Sequence, residues 1–370
     1  MLPKDISIIF YSNYLRNMKS ILFLNGGGVG GAETMTVLYA TVLQDSGFRS
    51  IILTKISDSE EGDTTIMIPE EIEQEKVKCR FRGLFYHIPH TIWKYRPDIV
   101  FCWDYHIVKN ILSPLRKLHI CPKFKLVCRC PNTPSIMDPV EREGLLAFKT
   151  ADIVIAQTKE MAEELVRITG IPDGRIHTIY NPISKARIHR NIESRYDFDT
   201  NYINYVAVGR IAEQKDYPTM LEAFALVLSK QPDSRLYILG RTNERIMPRL
   251  YDMIKKNKME SAVFFEGYQE NPHKYETGAD VYVLSSVYEG LPNAMIEAMY
   301  LGVPVAATEC IPYISQVVKN GVNGYTCRIK DAEKLAEAML AAAKIKELPK
   351  FIDINHSEQE VVKLFTNLVI

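Results

Sequence analysis

Residues 203–230, "INYVAVGRIAEQKDYPTMLEAFALVLSK", decide the fold. They read as a buried strand, a loop carrying Arg210 and Lys215, and an amphipathic helix whose first turn holds Pro218, where the missing amide costs nothing. This βα unit recurs along the chain. Downstream, "RLYILG", "AVFFEG", "DVYVLSS" and "PVAAT" read as strands with helices between them. Upstream, "ILFLN", the strand at 50–54, "DIVFCW", "FKLVC", "ADIVIAQT" and "RIHTIYNPI" follow the same rhythm. The alternation predicts an α/β protein of two Rossmann-like, doubly wound parallel-sheet domains facing each other across a crevice. A ligand is expected at the carboxyl ends of both sheets.

A chain of 370 residues is too long for one ordinary core, which agrees with two domains. The expected division is an extension at 1–18, a first domain at 19–185, a second at 186–350, and a terminal helix at 351–370 that crosses back to the first. Val361, Leu364, Phe365 and Leu368 give that helix its apolar face. Lysine and arginine total 45 and so do the acids, so nothing draws the whole molecule to nucleic acid. The seven cysteines are scattered, and the spacing of Cys121, Cys128 and Cys130 is poor for zinc. Reduced thiols in a cytoplasmic protein without a metal or cofactor are expected. No run is long enough to span a bilayer, and no signal-peptide pattern opens the chain.

"NGGGVGGAET" at 25–34 follows the first strand, and Gly26, Gly28 and Gly31 match a dinucleotide fingerprint. That fingerprint wants an acid at the end of the next strand to hold the ribose. Lys55 stands there instead, which disfavours NAD and leaves an NADP enzyme resting on the glycines and Lys55 alone. The stretch at 57–75, rich in Asp and Glu, reads as a solvated loop.

The chemistry concentrates in "SSVYEGLPNAMIEAMYLGVPV" at 285–305. Pro292 suits a helix's first turn and Gly302 its end, so Glu289 falls in the leading loop and Glu297 inside the helix. Free amides of the first turn, near Asn293 and Ala294, suit an anion. A carboxylate one or two turns in can accept both vicinal hydroxyls of a ribose. Arg210 and Lys215, at the end of the domain's first strand, suit a diphosphate leaving group.

Gly-Gly-Ala-Glu at 30–33, Asn181-Pro182, Gly209-Arg210 with Lys215, and the E-x7-E of "EGLPNAMIE" occur in an order that resembles the family 4 retaining glycosyltransferases of GT-B fold. The resemblance runs from Lys19 onward. It implies a transferase without metal or cofactor, moving a hexose or N-acetylhexosamine from a nucleotide-sugar such as a UDP- or GDP-sugar. The acceptor is a glycan or a lipid-linked molecule in surface polysaccharide or glycolipid synthesis. By the family pattern Arg210 and Lys215 hold the diphosphate, Glu297 the ribose, and Glu289 sits by the sugar. Gly209, Gly267, Tyr268, Gly290, Leu291, Pro292 and Asn293 complete the donor site, and the loop of Gly28, Gly30 and Gly31 approaches the phosphates. The family often places a histidine at the end of the strand here reading "LVCRC"; Arg129, Cys130 and Asn132 occupy that place, with His106 or Asp104 as substitutes. The rivals are a nucleotide-sugar epimerase or hydrolase using Glu289 and Glu297 as its pair, and a non-enzymatic nucleotide-binding module.

Between Lys78 and Arg129 eleven basic residues face only Asp98 and Asp104, with aromatic and aliphatic residues interleaved. A solvated face is the plain reading. The sharper one is contact with an anionic membrane surface on its cytoplasmic side.

Overall fold

The computed structural model describes residues 18–25, 31–56, 68–183, 185–346, 348 and 358–369. The chain divides into two compact units, Met1–Ser184 with His356–Ile370, and Lys185–Asn355. Each carries one parallel sheet.

In the first unit the strands are β1 Ser20–Asn25, β2 Arg49–Ile56, β3 Glu73–Lys78, β4 Ile99–Cys102, β5 Lys125–Arg129, β6 Ile153–Ala156 and β7 Ile176–Thr178. Their order is β3-β2-β1-β4-β5-β6-β7. Central strands such as β1 are buried on both faces, as a parallel sheet under two helix layers requires. One face packs Ile21, Phe23, Ile52, Phe101 and Val127 against the helix Gly31–Asp45 and the terminal helix Glu358–Val369. Val361 and Phe365 are fully buried there, and Phe365 stacks edge-on to Tyr39 with centroids 6.4 Å apart. The other face carries Leu22, Leu53, Val100 and Cys128.

In the second unit β8 Ile203–Val208, β9 Ser234–Leu239, β10 Val263–Gly267, β11 Val281–Leu284, β12 Val305–Thr308 and β13 Gly324–Cys327 run in the order β10-β9-β8-β11-β12-β13. The order reverses between β8 and β11, as it does between β1 and β4. At such a point the connections leave to opposite sides and open a cleft at the carboxyl ends of the strands.

The structure corrects several local readings. Glu73, Gln74 and Glu75, taken as solvated loop, belong to the edge strand β3, which pairs along β2. Only Val77 of β3 is buried, so no alternation of apolar residues marks it. Its acids instead meet Arg49 at 2.7 Å and Lys94 at 2.9 Å. The helical segment after β4 begins as a turn at Tyr105–Ile107, widens to a π-helix at Val108–Leu112 and ends at Ser113–Lys117. Pro114 cannot donate to the carbonyl one turn back, and the ladder adjusts ahead of it. The expected domain boundary at 185/186 falls at the start of a helix, Lys185–Asn191. The short strand β13 escaped notice because it is four residues long and opens with Gly324, leaving only Tyr325 and Cys327 to mark it. No helix among the described residues is long and apolar enough to cross a membrane.

Candidate functional site

The second unit's strand ends assemble a polar cluster at its reversal between β8 and β11. Gly209 follows β8 and donates its amide to Leu239 at 2.8 Å, while Gly240 after β9 donates to Gly267 at 2.7 Å. Gly240 has φ +147°, and a Cβ there would run into the Gly209 carbonyl. A Cβ on Gly209 would lie 2.9 Å from Cε of Lys215, whose stem crosses it. Gly240 therefore serves close approach of backbone, and Gly209 leaves room for the Lys215 stem.

The loop after β8 is fixed to the loop after β11. Ser285 donates its hydroxyl to the Lys215 carbonyl at 2.6 Å, and the Val287 amide donates to the Gln214 carbonyl at 2.9 Å. Thr308 on β12 donates to the Ser286 carbonyl at 2.6 Å. Within this frame Lys215 Nζ meets Glu289 Oε1 at 2.7 Å. Ser286 Oγ donates to the same oxygen at 2.7 Å and Gln214 Nε2 to Oε2 at 3.2 Å. The pair is largely removed from water, its side chains 19% and 8% exposed. Removing one member of such a pair costs about 3–5 kcal/mol. Arg210 beside it is exposed and makes no ion pair among the described residues.

Pro292 caps the helix Asn293–Tyr300 rather than standing in its first turn, with ψ 75° bending the chain into Asn293. Gly290, Leu291 and Pro292 are buried beneath it. Glu297 points into the second unit's interior. Arg187 Nη2 lies 2.5 Å from its Oε1, and His273 Nε2 lies 3.3 Å from its Oε2. Asn191 Nδ2 stands 2.9 Å from His273 Nδ1; with that amide donating, Nε2 carries the hydrogen and donates to Glu297. Burial alone would raise the Glu297 pKa, but the His273 hydrogen bond and the Arg187 charge outweigh it and hold the carboxyl below its usual range.

Glu276 lies under this pair, fully buried, with neither oxygen hydrogen-bonded. Burial first, and then the Glu297 charge, push its pKa well above the carboxylate range. His273, Glu276 and Glu297 form a group with metal-ligand spacing, their ligand atoms within 4.8 Å of one another. The Arg187 guanidinium already balances Glu297, so a proton on Glu276 makes the group neutral without a cation. A pH consequence follows. Unfolded, Glu276 loses its proton near its ordinary value of 4.5; folded, it keeps it. Stability therefore falls as pH rises above that value until the raised pKa is passed. Glu276→Gln is expected to raise Tm at pH 8 while leaving it nearly unchanged at pH 4, and parallel Tm–pH curves for the two proteins would refute the protonated state.

Tyr268, after β10, is half exposed, and the Arg241 guanidinium lies 5.5 Å from its ring centroid. These flat groups stand at the ends of β9 and β10. Arg187, His273, Glu276 and Gln214 were not singled out from sequence. Their helix and loops carry no periodic or motif signal.

The remaining candidates belong to the first unit. Gly28 and Gly30 lie outside the described residues. Gly31 opens the helix Gly31–Asp45, and nothing lies within 4 Å of where its Cβ would be. His106 is exposed, its ring 4.1 Å from that of Tyr105. Asp104 is a cap: its Oδ1 accepts the His106 amide at 2.8 Å and the Ile107 amide at 3.3 Å. Arg129 is buried and donates through Nη2 to Asn181 Oδ1 at 2.7 Å.

Two family models span most of the chain, Glycosyltransferase Family 4 over residues 29–187 and Glycosyl transferases group 1 over residues 189–358. The chain belongs to the group 1 glycosyltransferases. Among its relatives is an uncharacterised glycosyltransferase of Methanocaldococcus jannaschii, 29% identical over 61% of this chain and 59% of that protein. Another group 1 relative is the lipopolysaccharide core biosynthesis glycosyltransferase LpsE of Rhizobium meliloti, 27% identical over 62% of this chain and 69% of its own length. The matches span 39–59% of the length of the first curated relatives. The group 1 fold recurs in solved structures. Anabaena HepE in complex with UDP-glucose aligns over 94% of both chains at 17% identity and TM-score 0.70. Staphylococcus aureus TarM, in complex with UDP and α-GlcNAc-glycerol among its ligands, covers 95% of this chain and 100% of its own at 13% identity and TM-score 0.72. These are GT-B glycosyltransferases, and the two parallel-sheet units here have that fold.

Proposed function

We propose that the protein is a retaining glycosyltransferase, active without metal, that moves a hexose or N-acetylhexosamine from a nucleoside-diphosphate sugar to a glycan or lipid-linked acceptor. The observation that carries this is the pairing of Lys215 with Glu289 at the second unit's strand-order reversal, with Arg210 exposed in the same loop. In the reaction the anomeric carbon–oxygen bond to the diphosphate breaks and a bond to an acceptor hydroxyl forms, whose proton leaves with the departing phosphate. Negative charge grows on the diphosphate as the bond lengthens. Arg210, Lys215 and the first-turn amides of the helix Asn293–Tyr300 beyond Asn293, whose own amide donates to the Leu291 carbonyl at 2.9 Å, are the donors for it. Glu297 takes the ribose hydroxyls, Tyr268 the base, and Glu289 positions the sugar. The names of relatives support a surface polysaccharide or glycolipid role: lipopolysaccharide core biosynthesis for LpsE, and transfer to a diphospho-undecaprenol-linked sugar for a Campylobacter jejuni N-acetylgalactosaminyltransferase.

Incubation with UDP- and GDP-sugars in EDTA tests the reading. Release of nucleoside diphosphate is expected to persist in the chelator. Loss of release with EDTA, restored by Mg²⁺ or Mn²⁺, would exclude the metal-free mechanism.

Membrane contact through residues 78–129 is part of the same reading. Phe81, Phe85, Tyr86, Trp93, Leu118 and Ile120 are exposed in this stretch, Tyr86 and Leu118 at 66% and 64%. Trp93 Nε1 donates to the Ile120 carbonyl at 3.1 Å, which joins the helix Leu84–Tyr95 to the turn after Lys117 in one patch. Arg80, Arg82, Lys117 and Lys123 are exposed as well. Apolar side chains among cations suit an anionic bilayer, each cation contributing about 1 kcal/mol near the surface. Arg116 belongs elsewhere, held by Asp152 at 2.7 Å. Co-sedimentation with anionic vesicles is expected to fade with salt and to fall about tenfold in Lys117→Glu/Lys123→Glu. Absence of binding at low salt would leave a soluble acceptor.

A further inference from the structure

The first unit gathers its unsatisfied polar groups at one edge. Among its described residues, buried side-chain atoms without a hydrogen-bond partner occur on Asn25, Tyr39, Thr54, Thr91, Trp103 and Arg129. Strand register places four of these in one row across the sheet. Asn25 pairs with Thr54, the pairing of Phe23 with Phe101 brings Trp103 level with Asn25, and that of Cys102 with Cys128 brings Arg129 level with Trp103. Two residues earlier on the same strands, Phe23, Ile52, Phe101 and Val127 share a core with Tyr39. By strand alternation the row therefore faces the helix Gly31–Asp45, at the carboxyl edge of the sheet. Thr91 alone lies apart, in the helix Leu84–Tyr95.

Such groups are rarely left unpaired in a native protein, and a cluster of them is met by ordered water or by a ligand. The row is rich in donors: Arg129 Nε, Trp103 Nε1, Asn25 Nδ2, and the hydroxyls of Thr54 and Tyr39, with Asn25 Oδ1 the one atom that only accepts. It holds one full positive charge, and the carboxylate whose charge reaches it is Glu360, through Tyr39. Arg129 makes no ion pair among the described residues; burial lowers its pKa, and the groups that oppose this are Tyr39 and Cys130. The Tyr39 hydroxyl faces the guanidinium, but its geometry falls short of a hydrogen bond. Behind the guanidinium a relay holds it in place. Asn181 accepts from Arg129 at 2.7 Å and donates to Gln157 Oε1 at 3.3 Å, and Gln157 donates to the Cys130 carbonyl at 2.9 Å. A charged, immobilised guanidinium with a free Nε–H and surrounding neutral donors fits a phosphoryl oxyanion.

We propose that the row Thr54, Asn25, Trp103 and Arg129, with Tyr39, binds a phosphate group carried by the acceptor. This rests on the transferase reading and names the acceptor's charge. Two sources share the chemistry, a soluble sugar or polyol phosphate and the diphosphate of a lipid-linked acceptor.

Calorimetry on the full chain, with UDP present to occupy the second unit, tests it using inorganic phosphate and glycerol 1-phosphate, with glycerol as control. The phosphates are expected to bind and glycerol not. Arg129→Gln should weaken phosphate by about 10- to 100-fold, the span of one charged hydrogen bond, with UDP affinity within twofold. Asn25→Ala, which changes no charge, should weaken it several-fold and decides the matter if Arg129→Gln does not fold. Competition by glycerol 1-phosphate or by a short-chain polyprenyl diphosphate supports the site and tells which source it serves. No phosphate binding by the parent, equal binding of glycerol, or parent-like binding by folded variants would overturn it. Phosphate binding without sugar transfer would remove the transferase reading and leave this site; transfer without phosphate binding would do the reverse.

Discussion

Lys215→Ala is expected to lower kcat/KM for sugar transfer by about 100- to 1000-fold, the usual effect of deleting one preorganised donor from a developing oxyanion. Lys215 is held for that role by its carbonyl bond from Ser285 and by the Glu289 pair at 2.7 Å. The substitution also strands Glu289, which is buried and would lose its cation. Part of any loss is therefore instability, and a second variant separates the two. Lys215→Met/Glu289→Gln removes both charges together, which for a buried pair is often close to neutral in stability. Tm should recover in the double variant and activity should not. If activity returns with Tm, the pair is scaffold and the diphosphate is held elsewhere.

Glu297→Ala should weaken nucleoside diphosphate binding by about 10- to 100-fold, since a hydrogen bond to a charged group contributes about 1.5–3 kcal/mol. Its oxygens stand within reach of Arg187 and His273, so the ribose hydroxyls must share the carboxylate with them or displace one. Arg187→Ala is the informative companion. It leaves the carboxylate in place and should cost less affinity than Glu297→Ala. Titration calorimetry distinguishes these outcomes, and parent-like affinity in Glu297→Ala would assign the residue to the interior ion pair alone.

The architecture was legible because its central strands are apolar on both faces and its helices are periodic, as in Ile203–Lys230. The ends of the sheets were not, because β3 is a charged edge strand and β13 is four residues opening with glycine. The same division holds at the site. Arg210, Lys215, Glu289 and Glu297 announce themselves through motif spacing. Their supports do not: Arg187 comes from a segment that reads as linker, and His273 and Glu276 from a single turn of helix, His273–Glu276. Contacts between residues a hundred positions apart, such as Arg187 with Glu297, leave no local pattern. Arg129 stood out in sequence only as a departure from the family's histidine. Its burial and the row beside it needed strand register to be seen.

The most direct measurement is the thermal shift of the full chain with UDP, GDP, ADP and NADP. A nucleotide at 100 times its Kd adds roughly 2.7 kcal/mol of stability. One of the nucleoside diphosphates should raise Tm, NADP should not, and the shift should shrink in Lys215→Ala and Glu297→Ala. Stabilisation by NADP alone, or by none of the four, would contradict a nucleotide-sugar donor site at the end of β8.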